Sequence, residues 1–429
     1  MKSRKHDSSS MGDFLLEHLN TGQRIVLGHA AGEPVELVSL LLNRFEHLRN
    51  IEILHMVPLG LCSYCLPEYE GHFRHNAVFA GQPTRQAIAA GRADFTPAFF
   101  SELPRLFRSG QLPVDVAMIS VSPPDENGDV SLGVSSDYTL QAAKSARCVV
   151  AEINHWMPRT FGSTLNLSEI DALIETERPL PELQPSVAGK VEMQIGSHIR
   201  SLIADGDCLQ LGIGSIPDAV LSQLCDRNDL GVHTEMFSDG LVQLLEAGNI
   251  TNAHKPIDTG LTVATFLMGS QKLYRYVHLN PKILMKPVDY TNDVAIGGQI
   301  PNLKSINSAI EVDLHGQVCA DMIGPKQFSA VGGQVDFVRI AARSAGGRSV
   351  IALPSTAKNG TVSRIVPRLS AGACVTTSRY DVDTIVTEFG IAELKGRSIA
   401  ARQRALIDIA HPNFRDMLRD SIQQHNRYD

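Results

Sequence analysis

The segment Gly231-Val232-His233-Thr234-Glu235-Met236-Phe237-Ser238-Asp239-Gly240 places a carboxylate on a short turn. An extended run precedes it and the helical pattern Leu241-Val242-Gln243-Leu244-Leu245-Glu246-Ala247-Gly248 follows. Glu235 is therefore a candidate reactive group. It is equally the kind of charge that a helix N-terminus or a solvated loop attracts, so its neighbours decide the reading.

The first neighbour is Leu211-Gly212-Ile213-Gly214-Ser215-Ile216-Pro217-Asp218-Ala219-Val220, a strand pattern running through a glycine turn into a helix. Missing side chains let backbone N–H groups approach a ligand, and a helix start favours negative charge. A dinucleotide fingerprint needs a third glycine where Pro217 stands, so a nicotinamide site is disfavoured; no Gly-x-x-x-x-Gly-Lys-Ser/Thr occurs, which excludes the phosphate loop of an NTPase. The turn remains open to an acyl or pantetheine chain. In Ser329-Ala330-Val331-Gly332-Gly333-Gln334-Val335-Asp336-Phe337, paired glycines and an amide are suited to aim donors at a thioester oxygen as negative charge develops on it. In Leu353-Pro354-Ser355-Thr356-Ala357-Lys358-Asn359-Gly360-Thr361-Val362-Ser363-Arg364, two cations flank a loop where a phosphate or carboxylate could meet them. Ordinary β-turns with solvated cations would show the same residues.

These candidates need a scaffold, and 429 residues with 43% hydrophobic and 20% charged positions suffice for two cores of ordinary size. A net charge of -7 without a long Lys/Arg run offers no stripe to a nucleic acid. No stretch approaches the roughly 20 apolar residues of a membrane span, so no membrane partner is expected and the expected location is cytoplasmic. Residues 1–12, charged and Ser-rich, read as a disordered leader. The cysteines Cys62, Cys65, Cys148, Cys208, Cys225, Cys319 and Cys374 are odd in number and mostly set in apolar runs, the pattern of reduced, buried thiols. Cys62 and Cys65 have the spacing of a metal knuckle but no further ligands at similar spacing, so no metal is expected.

Short Val- and Ile-rich runs alternate with helical patterns along the whole chain, the rhythm of an α/β protein with buried sheets. Expected strands are Arg24 to Leu27, Ile51 to Met56, Val116 to Val121, Cys148 to Ile153, Cys208 to Leu211, Lys282 to Met285, Ser349 to Leu353 and Thr384 to Thr387. Expected helices include Pro34 to Leu48, Thr84 to Ala90, Ile216 to Cys225, Gly240 to Ala247 and Ile399 to Ile409. A weak internal repeat points to two related halves. Gly22-Gln23-Arg24-Ile25-Val26-Leu27-Gly28 resembles Gly206-Asp207-Cys208-Leu209-Gln210-Leu211-Gly212, and the turn Asp125-Glu126-Asn127-Gly128-Asp129-Val130 echoes Asp313-Leu314-His315-Gly316-Gln317-Val318. The proline-rich Arg178-to-Pro185 segment reads as the linker, giving domains over 13–183 and 184–429 with the site in a cleft between them.

Several further motifs complete a pattern: His29-Ala30-Ala31-Gly32-Glu33-Pro34, Gly71-His72-Phe73-Arg74-His75-Asn76, Val121-Ser122-Pro123-Pro124-Asp125-Glu126-Asn127-Gly128, Ile306-Asn307-Ser308-Ala309-Ile310-Glu311-Val312-Asp313 and Thr387-Glu388-Phe389-Gly390-Ile391-Ala392. With the Glu235, Gly333 and Lys358 segments, in order from about Gly22 to Leu418, the chain resembles the acetyl-CoA hydrolase/transferase group of family I CoA-transferases. The resemblance implies two similar open α/β domains and a homo-oligomer. It implies a catalytic glutamate at Glu235, beside which the turn Gly332, Gly333 and Gln334 is suited to stabilise the oxyanion. It also implies CoA contacts from Gly212, Ile213, Gly214, Ser215, Ile216, Gly333 and Lys358. Coenzyme A would enter as a substrate, with no further cofactor, because the thioester energy is carried on the enzyme itself. The partners implied are acyl-CoA and short-chain mono- or dicarboxylic acids. The stretch Ile296-Gly297-Gly298-Gln299-Ile300-Pro301 departs from the Arg/Asn-rich run of many relatives, which leaves the acid open. A dicarboxylate would need a spare cation such as Arg74, Lys304 or Arg364. An acyl-CoA hydrolase using the same glutamate and a CoA-binding protein without catalysis are the alternatives.

Overall fold

A computed structural model describes residues 4–184, 186–212 and 214–425. The chain divides into two compact units. The first comprises Met1–Gln184, Met236–Asp239 and Val263–Thr291; the second comprises Pro185–Glu235, Gly240–Thr262 and Asn292–Asp429.

The first unit is built on an eight-stranded sheet. Its order is Arg4–Lys5, Ala172–Thr176, Cys148–Asn154, Val116–Val121, Arg24–Leu27, Ile51–His55, Phe73–Ala77 and Ala93–Phe95, and every pairing is parallel. Parallel strands are covered on both faces, which is why Val116–Val121 and Cys148–Asn154 are buried throughout. Alternation along each strand feeds two separate cores. Val26, Leu54, Ala117, Ile119, Val149 and Ala151 pack in one, and Ile25, Leu27, Ile53, Val116, Met118 and Val150 pack in the other.

The second unit carries a six-stranded sheet ordered Gly231–Val232, Cys208–Leu211, Leu303–Ser308, Arg348–Ala352, Thr384–Thr387 and Gly390–Glu393, parallel except for its last strand. Across its centre Ser305 Oγ and Asn307 Nδ2 both donate to Gln210 Oε1, at 2.7 and 3.1 Å. That polar ladder fixes the register of two strands whose ends carry the site.

Each of the eight expected strands is present within a residue or two of its expected ends. The internal repeat is also present as geometry. Asp125 Oδ1 accepts from the N–H groups of Asn127 and Asp129, and Asp313 Oδ1 accepts from those of His315 and Gln317; Gly128 and Gly316 follow at φ 80° and 81°. One Asx-stabilised hairpin turn has been built twice.

Three expectations are corrected. The leader expected over 1–12 carries regular structure within the described residues: Arg4–Lys5 adds to the sheet edge beside Ala172 and Leu173, and a helix spans Ser8–His18. Its polar composition hides a capping box between Asp7 and Ser10 and a fully buried Met11. The helix expected over Pro34 to Leu48 ends at Leu42 and resumes as a 3₁₀ turn at Phe45–His47. The glycine pair at 332–333 opens a ten-residue helix, Gln334–Arg343, where the sequence reading has only a turn.

One buried acid gives the fold a pH signature. Glu152, 1% exposed on its sheet strand, accepts from the N–H groups of Glu36 and Leu37, and burial pushes its carboxyl up to about 7. As pH rises through the window from about 4.5 to about 7, the unfolded chain sheds this proton while the folded chain keeps it. This group therefore lowers stability as pH rises, by about 3 kcal/mol in all. Glu152→Gln is expected to be more stable than the parent near neutral pH and to converge with it towards pH 4.5, measured by urea denaturation at several pH values.

Candidate active site

The carboxyl ends of three adjacent strands of the second unit supply the site. Gly231–Val232 runs on through His233 and Thr234 to Glu235. The Thr234 hydroxyl, fully buried, donates to Leu211 O at 3.2 Å and ties this segment to the end of Cys208–Leu211, one residue before Gly212. The third strand, Leu303–Ser308, ends at Ser308, whose carbonyl accepts from Gln334 Nε2 at 2.7 Å. Ends of parallel strands are where open α/β sheets place their ligands. Glu235 itself lies on a bend before a second short strand, Met236–Phe237, and the helix begins only at Asp239.

The Glu235 carboxylate is held by an amide. Asn292 Nδ2 donates to Glu235 Oε2 at 2.7 Å and to Asp336 Oδ2 at 3.2 Å. Asn292 is 1% exposed and Asp336 is 5% exposed. Two carboxylates facing one NH₂ group fix the orientation of the amide, since a flipped amide would set oxygen against oxygen. Bare backbone lies against the same oxygen. A Cβ built on Gly333 would overlap Glu235 Oε2 and Asn292 Nδ2 and lie 2.8 Å from the carboxyl carbon. Gly332, at φ +53°, is the left-handed residue that brings the chain in so closely.

Of the residues expected from sequence, the structure thus joins Glu235, Gly332 and Gly333, with Gly212 at the neighbouring strand end. Gly214, at φ +108°, caps the helix Ser215–Leu221, which includes Ser215 and Ile216. A Cβ on Gly212 or Gly214 would meet nothing within 4 Å, so space around this turn is open. Ile213 lies outside the described residues. Lys358 is exposed, with φ +49°, on the tip of the hairpin pairing Thr356–Ala357 with Val362–Ser363.

The Gln334 side chain, expected as an oxyanion donor, is engaged by other groups. Its amide bridges Ser308 O and the Thr377 hydroxyl, at 2.7 and 2.9 Å, and its N–H donates to Val331 O. It pins the helix start rather than facing the carboxylate. Asn292 takes that place, and the sequence reading misses it. The available signal is Thr291-Asn292-Asp293, where Asp293 is accounted for as a helix cap through Ala295 and Ile296, while a second buried polar residue has no such local role.

Other constellations resolve into structure. His29 Nδ1 lies 3.0 Å from Asp137 Oδ2, both fully buried, but the Ser135 hydroxyl bonds to Asp137 at 2.5 Å rather than to the imidazole. That is not the order of a serine-hydrolase relay. Cys62 and Cys65 are buried in a hydrophobic core, and desolvation raises both thiols, Cys65 to about 12. Among the three cations considered for a second carboxylate, Arg74 pairs with Asp94, and Lys304 pairs with Asp207 and Gly346 O. Arg364, half-buried beside Glu388, has no ion pair among the described residues.

Comparison with known proteins places these features in a group. Residues 11–183 match the model of the acetyl-CoA hydrolase/transferase N-terminal domain, and residues 269–422 match that of its C-terminal domain. A 4-hydroxybutyrate coenzyme A transferase of Clostridium kluyveri is 52% identical over 402 residues, 94% of each chain. A succinyl-CoA:cyclohexane-1-carboxylate CoA transferase of Geobacter metallireducens is 44% identical, covering 95% of this chain and 93% of the relative. The crystal structure of a 4-hydroxybutyrate CoA-transferase from Porphyromonas gingivalis superposes with TM-score 0.85 at 40% identity over 98% of both chains.

Gly333→Ala tests the packing directly. The position has φ -95°, so alanine costs no backbone strain there. The variant is expected to fold, with a thermal midpoint within about 5 °C of the parent, while its crystal structure shows Glu235 Oε2 moved out of hydrogen-bond reach of Asn292 Nδ2. An unmoved carboxylate would contradict the geometry.

Proposed function

We propose, on the premise that the chain belongs to the acetyl-CoA hydrolase/transferase family, that it moves CoA from a short-chain acyl-CoA to a carboxylic acid by a ping-pong route through Glu235. The observation that carries this reading is the Glu235 carboxylate gripped by Asn292 against the bare backbone of Gly333.

The steps follow from carboxylate chemistry. A Glu235 oxygen attacks the thioester carbonyl, a C–O bond forms, the C–S bond breaks, and CoA leaves as thiolate from a mixed anhydride. The thiolate then attacks the glutamyl carbonyl carbon, giving a glutamyl-CoA thioester and releasing the first acid as its carboxylate. An incoming carboxylate attacks that thioester, again expelling CoA thiolate and forming a second anhydride. Attack of the thiolate on the new acyl carbonyl restores Glu235 and yields the new acyl-CoA. The bond energy of the thioester is kept on the protein throughout.

Each addition puts negative charge on a carbonyl oxygen. When the thiolate adds to the glutamyl carbonyl, that oxygen belongs to Glu235 itself, where Asn292 Nδ2 already donates. A preorganised donor at that point stabilises the developing charge without reorganisation. Asp336, buried behind the amide, is a positioning residue that holds Asn292 in the donating orientation.

The test is steady-state exchange between butyryl-CoA and acetate, with free CoA followed in parallel. Parallel double-reciprocal lines are expected, with exchange falling about 10⁴-fold or more in Glu235→Ala and about 10²- to 10³-fold in Asn292→Ala. Exchange at the parental rate in Glu235→Ala would overturn the reading. CoA release that needs no acceptor acid would replace transfer by hydrolysis at the same residue.

A further inference from the structure

A second cluster of reactive side chains lies elsewhere in the second unit. Val318 and Thr377 pair as an antiparallel bridge, so the next positions along this ribbon face one another as Cys319 with Thr376, and Asp321 with Cys374. Residues two apart on a strand share a face. The sulfurs of Cys319 and Cys374 and a carboxylate oxygen of Asp321 all lie within 4.8 Å of one another.

The surroundings fit a cation better than they fit a plain polar contact. Asp321 is 9% exposed, yet no Lys or Arg pairs with it among the described residues. Its carboxylate accepts only from neutral groups: Cys374 Sγ at 2.9 Å, the Thr376 hydroxyl, and Gln327 Nε2 at 3.3 Å. A buried carboxylate normally has a compensating charge. Its backbone is held as well, since Asp321 O accepts from the N–H groups of Phe328 and Ser329, and the N–H of Ala320 donates to Thr376 Oγ1. These contacts are the outer support that orients metal ligands. Cys319 is fully buried and donates to Met322 O at 3.3 Å, whereas Cys374 is half-exposed and gives solvent a way in.

We propose that Cys319, Asp321 and Cys374 bind one thiophilic divalent cation, zinc by its donor set, fastening the 318–327 ribbon to the 373–377 segment. Two thiolates and a carboxylate are three ligands of a tetrahedral zinc site, and the side open to solvent leaves room for water as the fourth. On binding, each thiol gives its proton to solvent as its sulfur bonds the metal, so about two protons are released per cation. This role is independent of Glu235 and structural rather than catalytic.

The test uses the reduced, chelator-treated full-length protein titrated with Co²⁺ alone and then Zn²⁺. The expected result is a thiolate-to-cobalt absorption band saturating at one equivalent, displaced by zinc, with a zinc-dependent rise in thermal midpoint. Cys374→Ser and Asp321→Asn are expected to lose both effects, while Cys225→Ser, the exposed cysteine, keeps them. Both variants are checked by circular dichroism for parental secondary structure, so that a lost band reports the site. No thiolate band in the parent, or a band that survives in Cys374→Ser, overturns the proposal. So does a Cys319–Cys374 disulfide that forms in air and is unaffected by zinc.

Discussion

A carboxylate that is to hold an acyl group needs one oxygen fixed and a clear approach on its other side, and these demands conflict with ordinary packing. Here the conflict is met by three residues. Asn292 supplies a donor at 2.7 Å, Asp336 keeps that donor turned the right way, and Gly333 gives up its side chain, whose Cβ would collide with Glu235 Oε2 and Asn292 Nδ2. Glu235 closes the first segment of the second unit and Asn292 opens its last, so the pair joins positions 57 residues apart in the chain.

The sheet makes this accuracy possible. A one-residue slip of a parallel strand buried on both faces would send every side chain into the opposite core, and the Gln210–Ser305–Asn307 ladder adds a polar lock between two of the three strands that supply the site. The Thr234–Leu211 bond and the Gln334 bridge then fasten the outgoing segments to those strand ends. Glu235 therefore inherits its position in part from the Thr234–Leu211 bond one residue before it.

Much of this is legible in the residues. Strands such as Val116–Val121 and Cys208–Leu211 are plain because burial on both faces writes a nearly continuous apolar run, interrupted by Ser120 in the first and Gln210 in the second. The duplicated Asp-x-x-Gly turn is plain because Asx chemistry and positive φ demand particular residues. Ser8–His18 is hidden, since its cap is made of the same Ser and Asp residues that signal disorder, and only Met11, Phe14 and Leu15 betray it. Gln334 misleads for a related reason. An amide beside two glycines looks like an oxyanion donor until its long-range partners Ser308 and Thr377 are known. Asn292 leaves only a faint trace for the converse reason, because its contacts are with two acids distant in sequence.

The central claim is that Glu235 itself carries the acyl and CoA groups. Incubating the protein with an acyl-CoA in the absence of acceptor acid, quenching with borohydride, and mapping peptides by mass spectrometry tests it most directly. Reduction of the glutamyl thioester to the alcohol at residue 235, absent without acyl-CoA and absent in Glu235→Ala, is the expected result. A protein that exchanges CoA between acids at full rate while residue 235 stays an unmodified glutamate under the same quench would contradict the account.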